Sequence, residues 1–129
     1  MKRFLSILLV IFCFITIYNC DNGTISDKEK DQQELIDLQK SIEDLIATSV
    51  CNENTECKFI GFGSKSCGGY KSYLIYSNSI NVSELEDMVE TYNNKESAFN
   101  NKYRIISDCT MVMPPSSVIC ENNTCVAVY

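Results

Sequence analysis

The stretch that decides the fold is residues 57–85, CKFIGFGSKSCGGYKSYLIYSNSINVSEL. Residues 58–62 (KFIGF) read as a strand, and residues 63–69 as a glycine- and serine-rich turn carrying Cys67. Residues 70–77 (YKSYLIYS) read as a second strand, because aromatic and β-branched side chains suit a pleated, half-buried surface. The two strands make a hairpin-like pair. Alternation would put Tyr70 and Tyr76 on one face and Tyr73 on the other. The texture then changes to a helix. Asn81 is placed to cap it with Glu84 at the third position, and Ile80 can meet Leu85 as a hydrophobic staple. Leu85, Met88, Val89, Tyr92, Phe99 and Tyr103 line one face as far as Arg104, and Asn93-Asn94 weakens the middle enough to predict a kink.

Upstream, Leu35, Leu38, Ile42 and Leu45 recur at helical spacing, with Ile36 and Ile46 widening the stripe, which predicts an amphipathic helix over residues 28–48. Ser26 and Glu29 have the spacing of a capping box at its start. The stripe is too short for a coiled coil and is expected to pack on the core. Downstream, residues 109–113 read as a strand ended by Pro114-Pro115. Residues 117–120 and 125–129 read as a terminal hairpin. Helix, two strands, helix, then two or three strands predicts an α+β fold: a small antiparallel sheet of four to five strands with two helices, stapled by disulfides.

The N-terminus has the marks of an export signal. Lys2 and Arg3 precede fifteen residues, Phe4 to Tyr18, in which only Ser6 and Thr16 are polar. That run is short for a membrane-spanning helix and suits a signal core. It ends in Ile17-Tyr18-Asn19-Cys20, which resembles the lipobox of bacterial lipoproteins. The resemblance implies that residues 1–19 are removed, that Cys20 becomes the acylated first residue, and that the protein sits in the cell envelope, anchored by lipid on the extracytoplasmic side of a bacterial membrane. Residues 20–27 would then be the lipidated cysteine and its tether, and residues 28–129 one disulfide-rich domain.

Cysteine usage agrees with this compartment. Of eight cysteines, Cys13 lies in the signal and Cys20 is used by the lipid. Cys51, Cys57, Cys67, Cys109, Cys120 and Cys125 remain, an even number that implies three disulfides. Spacing alone does not choose among the many pairings. Cys120 and Cys125 flank a turn, Glu121 to Thr124, and are a local candidate pair; Cys51 and Cys57 flank Asn52 to Glu56 in the same way. No C-x-x-C and no histidine occurs, so neither a structural zinc site nor a thioredoxin-like redox site is expected, and no metal or cofactor is assigned.

Charge and composition exclude other classes. The formal net charge is −6, and −8 once Lys2 and Arg3 leave with the signal. Such a chain has no electrostatic drive toward nucleic acid. Without histidine, Ser-His-Asp and Cys-His catalysis are excluded within the chain, and no serine has a lysine three residues on. The carboxylates Glu84, Glu86, Asp87 and Glu90 sit where a solvated helix face would put them. The glycine-rich loop matches no phosphate-cradling motif, so no nucleotide is expected. No catalytic residue is assigned and the protein reads as a non-enzyme. The sequons at Asn22, Asn81 and Asn122 are about as many as chance supplies in a chain this rich in Asn, Ser and Thr.

One stretch stands out as a contact surface. Residues 57–83 contain no acid but carry Lys58, Lys65 and Lys71 among Tyr70, Tyr73 and Tyr76. The candidate contact loop is Lys65, Gly68, Gly69, Tyr70, Lys71 and Tyr73. From Cys51 onward the chain also looks like small cysteine-rich exported bacterial proteins without assigned activity, sharing Cys67-Gly68-Gly69 followed by tyrosine, then a helix and a closing Cys-turn-Cys. The expectation is a membrane-tethered binding or scaffolding protein with an envelope partner. The alternative is a disulfide-rich inhibitor of extracytoplasmic proteases acting through residues 63–70, because a rigid loop loses little entropy on binding.

Overall fold

A computed structural model describes residues 26–129. The expected signal and the cysteine expected to carry lipid, Cys20, lie outside the described residues. Helix α1 spans Asp27–Ala47, strand β1 Cys57–Phe62, β2 Ser72–Ser77, helix α2 Val82–Tyr103, β3 Ser117–Glu121 and β4 Thr124–Val128.

Both helix starts follow from their caps. Ser26 and Glu29 form the capping box, each side chain accepting from the other's backbone N–H. Because Ser26 is the cap, α1 begins one residue before the expected 28 and reaches into the expected tether. Asn81 accepts from the Glu84 N–H and starts α2. Asn93-Asn94 does not interrupt α2, whose single helical span runs through both residues. The helix ends at Arg104, whose left-handed backbone (φ 52°) closes the last turn.

The helices run antiparallel, as their cross-links show. Lys102 Nζ and the Tyr103 hydroxyl reach Asp31 at 2.6 and 2.8 Å, Lys95 Nζ reaches Glu34 at 3.0 Å, and the Tyr92 hydroxyl donates to Gln39. Between them and one face of the β1–β2 hairpin lies the core: Leu35, Ile42, Phe62, Tyr76, Leu85, Val89 and Tyr92. Phe62 stacks on Tyr92 at 4.4 Å between ring centroids. Full burial of side chains this size is worth about 1.5–3 kcal/mol each, so a short list of them holds the helices to the sheet.

The fold is α+β, but its four strands do not make one sheet. β1 pairs antiparallel with β2, β3 pairs antiparallel with β4, and these are two separate two-stranded sheets. The expected sheet of four to five strands is therefore corrected on two counts. The terminal hairpin lies against the first hairpin rather than extending its edge, with β4 near β2 and β3 near β1. The segment before it, expected as a strand, stays unpaired among the described residues, and its two prolines have no N–H to offer a ladder. The terminal turn is tight because Asn122 and Asn123 both take positive φ, the geometry of a two-residue hairpin loop.

Three disulfides fasten the layers, and the local pairings are overturned. Cys51 bonds Cys120, Cys57 bonds Cys125, and Cys67 bonds Cys109. Cys120 and Cys125 are direct cross-strand partners in the hairpin register. Each bonds outward instead, to the segment around β1, so the two bridges run side by side and clamp one hairpin onto the other. The sulfurs of Cys51, Cys57 and Cys125 lie within 4.8 Å of one another, but all are bonded within these disulfides. Among the described residues no helix is long and apolar enough to cross a membrane.

Candidate functional site

The candidate contact loop leaves β1 at Phe62 and returns at Lys71, whose N–H donates to the Phe62 carbonyl at 3.0 Å. α2 holds its base through three polar side chains at successive turns. Asn93 accepts from the Gly63 N–H at 2.7 Å and donates to the Gly61 carbonyl at 3.1 Å. Glu96, only 6% exposed, accepts from the Ser64 N–H and from Lys71 Nζ, both at 2.6 Å. Asn100 donates to the Ser64 carbonyl at 2.7 Å. Main-chain groups that a loop would otherwise leave to water are thus satisfied inside the protein. Gly63 takes φ 77° at this point, and a Cβ there would press on Lys71 and Glu96.

Sequence reading missed this clamp. It treated Asn93-Asn94 as a weak point and gave Glu96 and Asn100 no role. The signal was present: Glu96 falls in the run Leu85, Val89, Tyr92, Glu96, Phe99, Tyr103, where only core side chains are expected, and a charge there needs a partner.

The loop lysines do not make the mildly basic surface expected. Lys71 is paired with Glu96. Lys65 has only 9% of its side chain exposed; its Nζ lies 3.0 Å from Asp108 Oδ1 and donates to the Thr110 carbonyl. Lys58 lies 3.7 Å from Glu56. Each cation has a carboxylate neighbour, and Lys65 is withdrawn from the surface, while Lys58 and Lys71 keep 43% and 44% of their side chains exposed.

The tyrosines also sit differently from the alternation expected. β2 begins at Ser72, so Tyr70 lies before the strand and outside its register. Its ring covers Gly61, where any Cβ would collide with it, and meets Tyr73 edge-on at 5.9 Å. Tyr73 in turn meets Phe59 at 5.8 Å. Tyr70 and Tyr73 therefore share one aromatic row on the face away from the helices, while Tyr76 is buried in the core.

A second segment completes the site. The Cys67–Cys109 bridge brings residues 109–114 beside the loop, and the two enclose a groove of about 590 Å³. Lys65, Gly68, Gly69, Tyr70 and Tyr73 form one wall, and Thr110 to Pro114 the other. Met111 and Met113 are 81% and 63% exposed, and Tyr70 46%. Five of the six predicted contact residues thus line one groove, and Lys71 anchors its base to α2. The methionines were not foreseen as part of it. On the other side of Tyr70 a hollow of about 710 Å³ of mixed character is lined by Ile60 of β1 and by Glu86, Val89, Glu90 and Asn93 of α2.

Two titrations are shaped by the packing. Burial, with Glu96 beside it, pushes the Tyr92 phenol up to about 12. The Lys102 ammonium and then the Tyr103 hydroxyl, both bonded to Asp31, hold that carboxyl below the ordinary value.

No protein-family model matches the chain, nor does any curated protein or solved structure with which it was compared.

Proposed function

We propose that the protein is a non-enzymatic binding protein of the bacterial cell envelope, tethered to the membrane by lipid on Cys20, which engages a protein partner through the groove between residues 65–73 and 109–114. The observation that carries this reading is the groove's construction. Exposed Tyr70, Met111 and Met113 stand on two segments bridged by Cys67–Cys109, the first of them braced by α2. Aromatic and methionine side chains are enriched in protein interfaces, and a rigid frame lowers the cost of ordering them on binding. Three disulfides support an oxidising compartment, which suits an exported protein.

The test is photocrosslinking in the cells that make the protein. A photoreactive residue replacing Met113 should give one discrete adduct with an envelope protein, and the same residue replacing Asp37 on the solvent side of α1 should not. Equal labelling from both positions, or none from Met113, contradicts the reading. A second reading makes the partner a protease. It is favoured by the course of residues 111–115, which follow a tight turn closed by the Thr110 N–H on the Asp108 carbonyl and themselves have neither turn nor bend and no positive φ.

A further inference from the structure

The loop expected to inhibit a protease, residues 63–70, is folded back on itself. Gly68 N–H donates to the Lys65 carbonyl and Lys65 N–H to that of Gly69. A chain curled in this way cannot lie in a protease cleft, which binds its substrate extended. The segment across the groove has the opposite character. Past the turn that the Thr110 N–H closes on the Asp108 carbonyl, residues 111–115 form no turn or bend, every φ is negative, and Pro114 and Pro115 hold the residues before them in the extended region. Among the described residues, Met111, Val112 and Met113 make no backbone hydrogen bond. Their N–H and C=O groups are thus unpaired among the described residues, as main-chain recognition by strand addition requires.

Both ends of the segment are fixed. At the start, Cys109 is bonded to Cys67 and the Thr110 carbonyl accepts from Lys65 Nζ. At the end, Pro115 is buried and the Ser116 N–H donates to the Val128 carbonyl at 2.8 Å. The most exposed large apolar side chain between these clamps is Met111.

We propose that residues 110–114 are a substrate-like strand that fills the cleft of an extracytoplasmic serine protease, with Met111 entering a deep apolar primary pocket. The inference rests on the second reading above and moves the inhibitory element from the glycine loop to this segment. Met111 is chosen over Met113 because Met113 precedes a proline, whose ring and missing N–H spoil the alignment of the bond that follows the pocket residue. An unbranched, apolar side chain fits a hydrophobic pocket of the chymotrypsin kind and not one built around a carboxylate. The cost of straightening the strand is met by the fold, so the bound shape is already present in the free protein.

The experiment is inhibition of chymotrypsin, subtilisin and trypsin by the mature membrane-extracted protein and by its Met111→Lys and Asp37→Lys variants. Disulfide mapping of each variant serves as the control for folding. The wild type should inhibit chymotrypsin or subtilisin and spare trypsin. Met111→Lys should weaken that inhibition by about a hundredfold and gain inhibition of trypsin, because a lysine is disfavoured in an apolar pocket and paired in an acidic one. Asp37→Lys should behave as wild type. Inhibition that Met111→Lys leaves unchanged would overturn the segment assignment but keep the inhibitor reading. No inhibition of any of the three overturns both, and leaves the groove to a partner that is not a protease.

Discussion

Glu96 Oε2 lies 2.6 Å from the Ser64 N–H while its Oε1 lies 2.6 Å from Lys71 Nζ, so one buried carboxylate on α2 holds both limbs of the contact loop. The loop's shape is set by the helix, and a change in the helix should be felt in the groove.

Glu96→Ala removes both bonds and the one from the Tyr92 hydroxyl at 3.3 Å, and leaves the Ser64 N–H without its acceptor. The expected loss is about 2–3 kcal/mol, since hydrogen bonds to a charged group are worth more than neutral ones. Urea denaturation of the two proteins measures it as a lower midpoint at unchanged slope. Lys71→Met should cost less, because the Lys71 side chain is 44% exposed and only one bond is lost.

The two parallel disulfides should not contribute additively. Cys51–Cys120 and Cys57–Cys125 each close a long loop, with sequence separations of 69 and 68. While one is intact, the other closes only the short ring through residues 51–57 and 120–125. In the chain-entropy account, replacing one pair by serine costs about 3 kcal/mol and replacing both about 7 kcal/mol. The double removal is comparable with the whole stability of a small domain, about 5–15 kcal/mol. Thermal melts of the single- and double-bridge variants should show a modest drop and then loss of the transition.

At high pH the Tyr92 phenol resists ionising in the folded protein, with its value raised from 10.0 to about 12. The unfolded chain ionises first, so Tyr92 leaves stability untouched below pH 10 and stability is lost as pH rises toward 12. Burial also raises the Tyr76 and Tyr103 phenols, so absorbance titration should show one fewer late-ionising tyrosine in Tyr92→Phe than in the wild type.

At low pH the sign reverses. Asp31 is held below its ordinary value of 3.8 by Lys102 and Tyr103, so its contribution is present above that value and is lost as pH falls through the folded one. Asp31→Asn should flatten the acid limb of the stability profile without changing the alkaline limb. Because the pair is solvent-exposed, added salt should shrink the difference between the two proteins.

What was legible in the sequence was whatever is local. Ser26 with Glu29, Asn81 with Glu84, and the apolar spacing of both helices are written within a few residues, and each element formed close to where it was expected. Strand β2 lost its first two residues because the Tyr70 ring lies over Gly61, nine positions earlier on β1, and the reason for that glycine is visible only once both are in place. The disulfides were misjudged for the same reason. A turn between Cys120 and Cys125 reads as a local staple, yet both cysteines are recruited by a segment some seventy residues earlier. The groove is the extreme case. Its tyrosine wall stood out by composition, while its methionine wall was read as an ordinary strand, and nothing near residue 111 tells that it finds no partner strand among the described residues.

The whole account depends on export and on the fate of the cysteines, and the intact mass of protein extracted from its own membranes tests both at once. The predicted result is a chain beginning at a diacylated or triacylated Cys20, with all six remaining cysteines alkylated only after reduction. A chain without lipid, starting elsewhere or carrying free thiols before reduction, would contradict it.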